Sequence, residues 1–86
     1  MIVLYSLEQC PYCRRVRNCL EELKIDFEKR DIDLNPAFRS ELIDRGGKAQ
    51  VPYLVDTERG VEMYESGDIM DYLHSLPQSE MPKTSG

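Results

Sequence analysis

The sequence predicts an α/β domain: a four-stranded mixed sheet flanked by helices, with its elements in the order β-α-β-α-β-β-α. Three observations carry this expectation. The apolar, β-branched and aromatic run Ile2-Val3-Leu4-Tyr5 passes into a segment from Pro11 whose apolar residues recur at helical spacing. A second extended run and a second helical segment follow, between Phe27 and Gly47. Two short strand-like runs then flank a polar stretch, ahead of a third helical pattern.

Each element has its own local reason. Pro11 to Lys24 opens on a proline, whose missing N–H is harmless in a first turn, and ends in a lysine, which suits a helix C-terminus. At about 100° per residue, Cys13, Val16, Cys19, Leu20 and Leu23 share an arc of roughly 120°. Arg14, Arg15, Arg17, Asn18, Glu21 and Glu22 lie mostly outside it. Phe27 to Ile32 reads as the second strand. Asn35-Pro36 supplies an N-cap and a first-turn residue for a helix through Phe38, Leu42 and Ile43, which Gly46-Gly47 ends. Tyr53-Leu54-Val55 and Val61-Glu62-Met63-Tyr64 are joined by Asp56-Thr57-Glu58-Arg59-Gly60, a hairpin connection. Ser66 precedes a last helix with Ile69, Met70, Tyr72, Leu73 and Leu76 on its pattern. The first two strands are expected to be parallel and the last two antiparallel.

The 86 residues fit one small domain, expected over 1–76, with a polar tail over 77–86. A net charge of -5 opposes nonspecific attraction to nucleic acid or anionic membrane, and no basic aromatic stripe offsets it. Neither partner is expected. The first six residues carry no basic region, long apolar stretch or small-residue cleavage site, so neither a signal peptide nor a membrane span is expected. Three cysteines are an odd count, and two of them are too close to staple distant segments. Both points favour a reducing compartment, with cytoplasm as the expected location.

Cys10-Pro11-Tyr12-Cys13 is where chemistry concentrates, because two thiols three residues apart sit where strand gives way to helix. Unpaired N–H groups and the positive end of the helix dipole favour negative charge on a sulfur, or on a bound anion, at that point. Cys10, at the helix start, is the candidate nucleophile and Cys13 the resolving thiol. Nearby positive charge is expected from the helix terminus and from Arg14. Half of a zinc site is the other reading of the pair. It would need Cys19 and His74 to complete four ligands, yet Cys19 lies on the apolar arc and no second close pair exists, so no metal is expected. Cys19 reads as a small buried hydrophobe, His74 as a helix residue outside the site, and Lys48 as a solvated side chain.

A strand leading into Cys-Pro-Tyr-Cys, a helix, a second βα unit, Val51-Pro52 and a hairpin ending just before Ser66-Gly67-Asp68 together resemble glutaredoxins of the thioredoxin fold, up to about Leu76. Glu65-Ser66 ahead of an apolar helix is also similar to the glutathione site in the N-terminal domain of glutathione transferases, which share that fold. The resemblance implies a thiol-disulfide oxidoreductase that reduces protein disulfides or glutathione mixed disulfides through a mixed disulfide on Cys10. It implies glutathione as co-substrate, no tightly bound cofactor, and disulfide-containing or glutathionylated proteins as partners; a monomer is the default expectation. It places Tyr12 against glutathione or a substrate peptide. It makes the Val51-Pro52 bond cis, with the Val51 N–H and C=O facing an extended cysteinyl segment. The Ser66 hydroxyl and nearby N–H groups would hold the γ-glutamyl carboxylate, with Asp68 or Glu65 meeting its ammonium. Plain helix capping, with Ser66 as cap and Asp68 as first-turn acid, accounts for the same two residues.

The chain departs from the glutaredoxin pattern at three places. Leu7-Glu8-Gln9 stands where many glutaredoxins carry a basic residue, Gln50-Val51-Pro52 replaces Thr-Val-Pro, and Tyr64-Glu65 replaces Gly-Gly, which is expected to narrow the groove. Two other functions are alternatives: an iron-sulfur carrier, with Cys10 of two chains and two glutathiones holding the cluster, and a glutathione-binding redox adaptor without turnover.

Overall fold

Strand β1 (Ile2–Ser6) is buried along its whole length, as a central strand covered on both faces must be. It pairs in parallel with β2 (Phe27–Asp31), Ile2 opposite Phe27 and Ser6 opposite Asp31, and antiparallel with β3 (Tyr53–Asp56), Tyr5 opposite Tyr53. Strand β4 (Val61–Tyr64) pairs antiparallel with β3, giving the order β2-β1-β3-β4. The helices are α1 (Pro11–Glu22), α2 (Pro36–Gly46) and α3 (Ser66–Ser75). This computed structural model describes residues 1–76, and the tail expected over 77–86 lies outside the described residues.

Side chains alternate across a strand, so the sheet builds two separate cores. Ile2 and Leu4 join Val16, Cys19, Leu20, Leu54, Ile69 and Leu73 on the face covered by α1 and α3. Val3 and Tyr5 join Ile32, Leu42, Tyr53 and Val55 on the face covered by α2. The apolar arc read from α1 is the one that packs, since Cys13, Val16, Cys19 and Leu20 are all buried.

Four expected boundaries are corrected, the first at Asp56, which is the last residue of β3 and not part of the hairpin connection because it pairs with both Ile2 and Val61. Helix α1 stops at Glu22 instead of Lys24, because Lys24 takes a φ of 59°. Its N–H bonds the Glu21 carbonyl at 3.1 Å and the Ile25 N–H bonds the Leu20 carbonyl at 2.9 Å, which is a Schellman closure built on lysine. Strand β2 ends at Asp31, whose side chain turns to accept from the Asp33 and Leu34 N–H groups. Helix α3 is capped by Glu65, with Ser66 as its first helical residue. The Asn35 cap of α2 forms as expected, accepting from the Ala37 N–H at 3.0 Å, and Gly47 closes that helix at φ 94°.

Gly46, the last residue of α2, answers to a close approach. A Cβ there would overlap the Tyr64 hydroxyl and come within 2.8 Å of the ring edge. The ring cannot retreat freely, because its hydroxyl donates to the Lys48 carbonyl at 2.7 Å and accepts from the Lys48 N–H at 3.3 Å. Gly46→Ala is expected to destabilise the domain by about 1–3 kcal/mol in urea unfolding. Pairing it with Tyr64→Ala should recover much of that loss; strict additivity of the two costs would show that no overlap exists.

Candidate functional site

The register brings the sequence-derived residues to one end of the sheet. Tyr5 opposes Tyr53 and Tyr53 opposes Tyr64, so the end of β1, the start of β3 and the end of β4 lie side by side. From that edge leave the loop to Cys10, the segment Val51-Pro52 and the turn Glu65-Ser66. Three stretches far apart in the chain therefore share a rim.

Cys10 is the N-cap of α1, at φ -76° and ψ 119°, and its Sγ accepts the Cys13 N–H at 3.5 Å. Pro11 follows at the first helical position, where its lack of an N–H leaves the cap intact. Cys10 is partly exposed, whereas Cys13 is wholly buried under the first turn. Burial pushes the Cys13 thiol up to about 12 against the pull of the Leu7 backbone N–H; the neighbouring Cys10 adds to the rise and the Arg17 guanidinium opposes it.

A raised thiol favours the folded state fully below the ordinary value of 9.0 and loses that advantage as pH climbs through the folded value. The reduced protein should accordingly melt at progressively lower temperature from about pH 9 to about pH 12. A Cys13→Ala protein should lack this share of the alkaline loss. Equal losses in the two proteins would show that another group is responsible.

Besides the helix terminus, the positive charge that acts on the Cys13 thiol is that of Arg17. Arg17, one turn beyond Cys13, points back to the loop, its Nη2 donating to the Glu8 carbonyl at 3.5 Å. Glu8, the acid that stands where glutaredoxins often carry a base, is paired with Lys29 of β2 at 3.0 Å. Its carboxyl is held low first by the Lys29 hydrogen bond, then by the charges of Lys29 and Arg17. Arg17 could have been found from the helical period, four residues after Cys13. Lys29 could not, since only the pairing of β1 with β2 carries it there.

Tyr12 is exposed between the thiols, with the Arg15 guanidinium 5.8 Å from its ring centroid. The Val51-Pro52 bond is cis. Across the rim, Glu65 adopts φ 74° and ψ 115°, a backbone region that costs a residue with a side chain about 1–3 kcal/mol. This is the position where the glutaredoxin pattern has glycine. Its carboxylate accepts from the Gln50 side-chain amide at 3.1 Å, so two of the three departures from that pattern meet each other. The sequence marks Gln50 only as a departure from the pattern and not as a site residue. Ser66 and Asp68 lie in the first turn of α3, Asp68 exposed. Glu65 makes no side-chain cap bond, which leaves the leading N–H groups of α3 facing the rim.

Cys19 and His74 do not approach the dithiol. They meet each other, Sγ to Nε2 at 3.7 Å, between α1 and α3. Burial and the Glu22 charge raise the Cys19 thiol, so it is a poor thiolate. Lys48 sits over Tyr64, 5.0 Å from the ring centroid. Among the described residues no three His, Cys, Asp or Glu side chains are grouped to hold a metal, and no helix is long and apolar enough to cross a membrane.

Sheet order, helix placement and the dithiol at the first helix define a thioredoxin-fold domain. A thioredoxin-like protein superimposes with a TM-score of 0.75 at 22% identity, over 88% of this chain and 100% of that one. The family model described as "Glutathione S-transferase, N-terminal domain" matches residues 4–80, and the chain belongs to that family. It is also similar to Glutaredoxin 3 of Escherichia coli strain K12, 38% identical over 53 residues, which are 62% of this chain and 64% of that protein. The chain thus spans just under two thirds of the length of this relative. The structure of Ure2p in complex with glutathione matches with a TM-score of 0.71 at 27% identity, over 84% of this chain and 31% of that one. The resemblance to glutaredoxins and to transferase N-terminal domains, read first from motifs, holds by these measures.

Proposed function

We propose that the domain is a glutathione-dependent thiol-disulfide oxidoreductase, acting on protein disulfides or glutathione mixed disulfides in a reducing compartment such as the cytoplasm. One observation carries this reading: a partly exposed cysteine at a helix cap, three residues from a buried second thiol whose N–H points at the first sulfur. The Cys10 thiolate attacks one sulfur of the substrate disulfide; a Cys10–substrate disulfide forms and the other sulfur leaves as a thiolate that takes up a proton. Cys13, or glutathione, then gives up its proton and attacks Cys10, releasing the reduced substrate. Where Cys13 attacks, two glutathiones reduce the resulting Cys10–Cys13 disulfide and leave as glutathione disulfide; where glutathione attacks, it forms a Cys10–glutathione disulfide that a second glutathione cleaves, leaving as glutathione disulfide.

Glutathione is the proposed co-substrate, and the domain acts as a monomer with no tightly bound cofactor. The leading N–H groups of α3 with Ser66 take the γ-glutamyl carboxylate, Glu65 or Asp68 takes its ammonium, and Val51 beside Pro52 pairs with the cysteinyl backbone. Tyr12 covers the open side. The glutathione held by Ure2p, a structural relative, supports glutathione as the ligand. The test is turnover of a small glutathione mixed disulfide with glutathione as reductant, repeated with a thioredoxin-reductase system as donor. No turnover with either donor would refute the reading.

Membership of the transferase N-terminal family favours a second reading, a glutathione-binding domain without turnover. Calorimetric glutathione binding together with a silent assay would select it.

A further inference from the structure

Arg17 is a half-buried charged side chain beside the apolar arc of α1, and its surroundings say what it is for. It lies four residues after Cys13 on α1, so the two side chains share one face, a single turn apart. Its Nη2 is tethered to the Glu8 carbonyl at 3.5 Å, which folds the guanidinium back over the loop that precedes Cys10. Its Nη1 is shut off from solvent and has no hydrogen-bond partner among the described residues. A buried guanidinium N–H without an acceptor costs stability, and such groups in native structures call for an explanation. The nearby acid does not supply one. Glu8 gives its carboxylate hydrogen bond to Lys29 at 3.0 Å; Arg17 feels that carboxylate only as a charge and hydrogen-bonds the Glu8 main chain.

We propose that Arg17 is a positioning residue for the second half of the exchange, its unpartnered Nη1 donor standing ready for the negative charge that Cys13 takes on when it loses its proton, before it attacks the Cys10 mixed disulfide. This rests on the exchange reading above and adds to it an answer to a problem the fold creates. Cys13 is wholly buried, and burial alone makes its proton hard to remove. The groups that reach its sulfur are the Leu7 N–H and Cys10 from the loop, and Arg17 from its own helix; of the side chains, Arg17 alone favours the anion. In the step itself the Cys13 proton passes to solvent or to the departing thiolate. The Cys13 sulfur bonds to Cys10, the Cys10–substrate bond breaks, and the electron pair leaves on the substrate sulfur. Arg17 exchanges neither proton nor electrons; it raises the share of Cys13 present as the attacking thiolate.

The experiment compares wild type, Arg17→Met and Arg17→Lys in two reactions. Reduction of a protein disulfide uses Cys13; deglutathionylation of a small mixed disulfide in a Cys13→Ser background does not. Arg17→Met is expected to lower the ratio of the first rate to the second about tenfold, since one unit of lost anion stabilisation is one decade of thiolate. The pH profile of the first reaction should move to higher pH, and Arg17→Lys should recover part of the ratio. Titration of Cys13 by thiolate absorbance, in a Cys10→Ser, Cys19→Ser protein with and without Arg17→Met, reads the same effect without any turnover. A higher Cys13 midpoint in the Arg17→Met protein supports the proposal even if the enzyme reading fails. An unchanged midpoint and an unchanged ratio overturn it while leaving that reading intact.

Discussion

Replacing Cys10 by serine is expected to lower thiol-disulfide exchange by at least about 1000-fold, equivalent to about 4 kcal/mol of barrier, in the mixed-disulfide turnover assay. A hydroxyl at the α1 cap can accept the Cys13 N–H as the sulfur does, so the fold should persist while the attacking group is gone. Cys13 cannot stand in, being wholly buried with its proton held by that burial. The Cys13→Ser protein should behave differently. Glutathione can still attack the Cys10 mixed disulfide from solvent, so deglutathionylation should continue while reduction of protein disulfides through Cys13 stops. Full activity in the Cys10→Ser protein would remove Cys10 from the mechanism, and equal loss in both variants would mean that the two thiols act only as a unit.

The second large effect is structural and lies at the far end of the sheet from the thiols. Asp56, at the end of β3, is 1% exposed, and a lone carboxylate buried that deeply would be costly. Its partners account for it. Oδ1 accepts the Glu58 and Arg59 N–H groups at 3.1 and 3.3 Å, which shapes the turn into β4. Oδ2 accepts the Tyr72 hydroxyl of α3 at 2.6 Å and lies 3.5 Å from the Arg59 guanidinium. Asp56→Ala removes the acceptor that ties the Glu58 and Arg59 N–H groups and the Tyr72 hydroxyl to the end of β3, and should cost about 3 kcal/mol in urea unfolding. A loss under about 1 kcal/mol would mean that the turn and α3 hold without this carboxylate.

Acid adds a second readout. Burial disfavours ionisation of Asp56, but the Tyr72 hydroxyl, the Arg59 and Glu58 N–H groups and the Arg59 charge outweigh it and hold the carboxyl below its ordinary 3.8. A lowered carboxyl stabilises the fold above its unfolded value and gives that up as pH falls through the folded one. The wild type should therefore lose stability as pH drops below about 4, and the Asp56→Ala protein should show a shallower acid limb.

Much of the architecture was legible in the chain because its signals are local. The cap at Asn35 with Pro36 behind it, the apolar arc of α1 and the strand at Ile2–Ser6 rest on spacings of a few residues, and each formed. Boundaries were less legible where backbone conformation broke the usual preference. Lys24 and Glu65 both take positive φ, which their side chains disfavour and which nothing in the nearby sequence announces. Lys24 was read as the last helical residue and is the residue that ends the helix. Ser66 was read as a cap, by residue preference, and lies one position inside it.

The order of elements, the alternation that builds two cores and the seating of two thiols at a helix start were determined by sequence alone, since hydrophobic period, proline and cap chemistry act within a turn or a strand. Which charges surround those thiols was decided only by tertiary structure. Lys29 reaches Glu8 because β2 lies beside β1, and Gln50 reaches Glu65 because the start of β3 pairs with the end of β4. Arg17, though near in sequence, is drawn inward by a carbonyl on the preceding loop. Contacts of this kind depend on strand register and on the path of the chain between elements, and neither is written in the spacing of residues along a single segment.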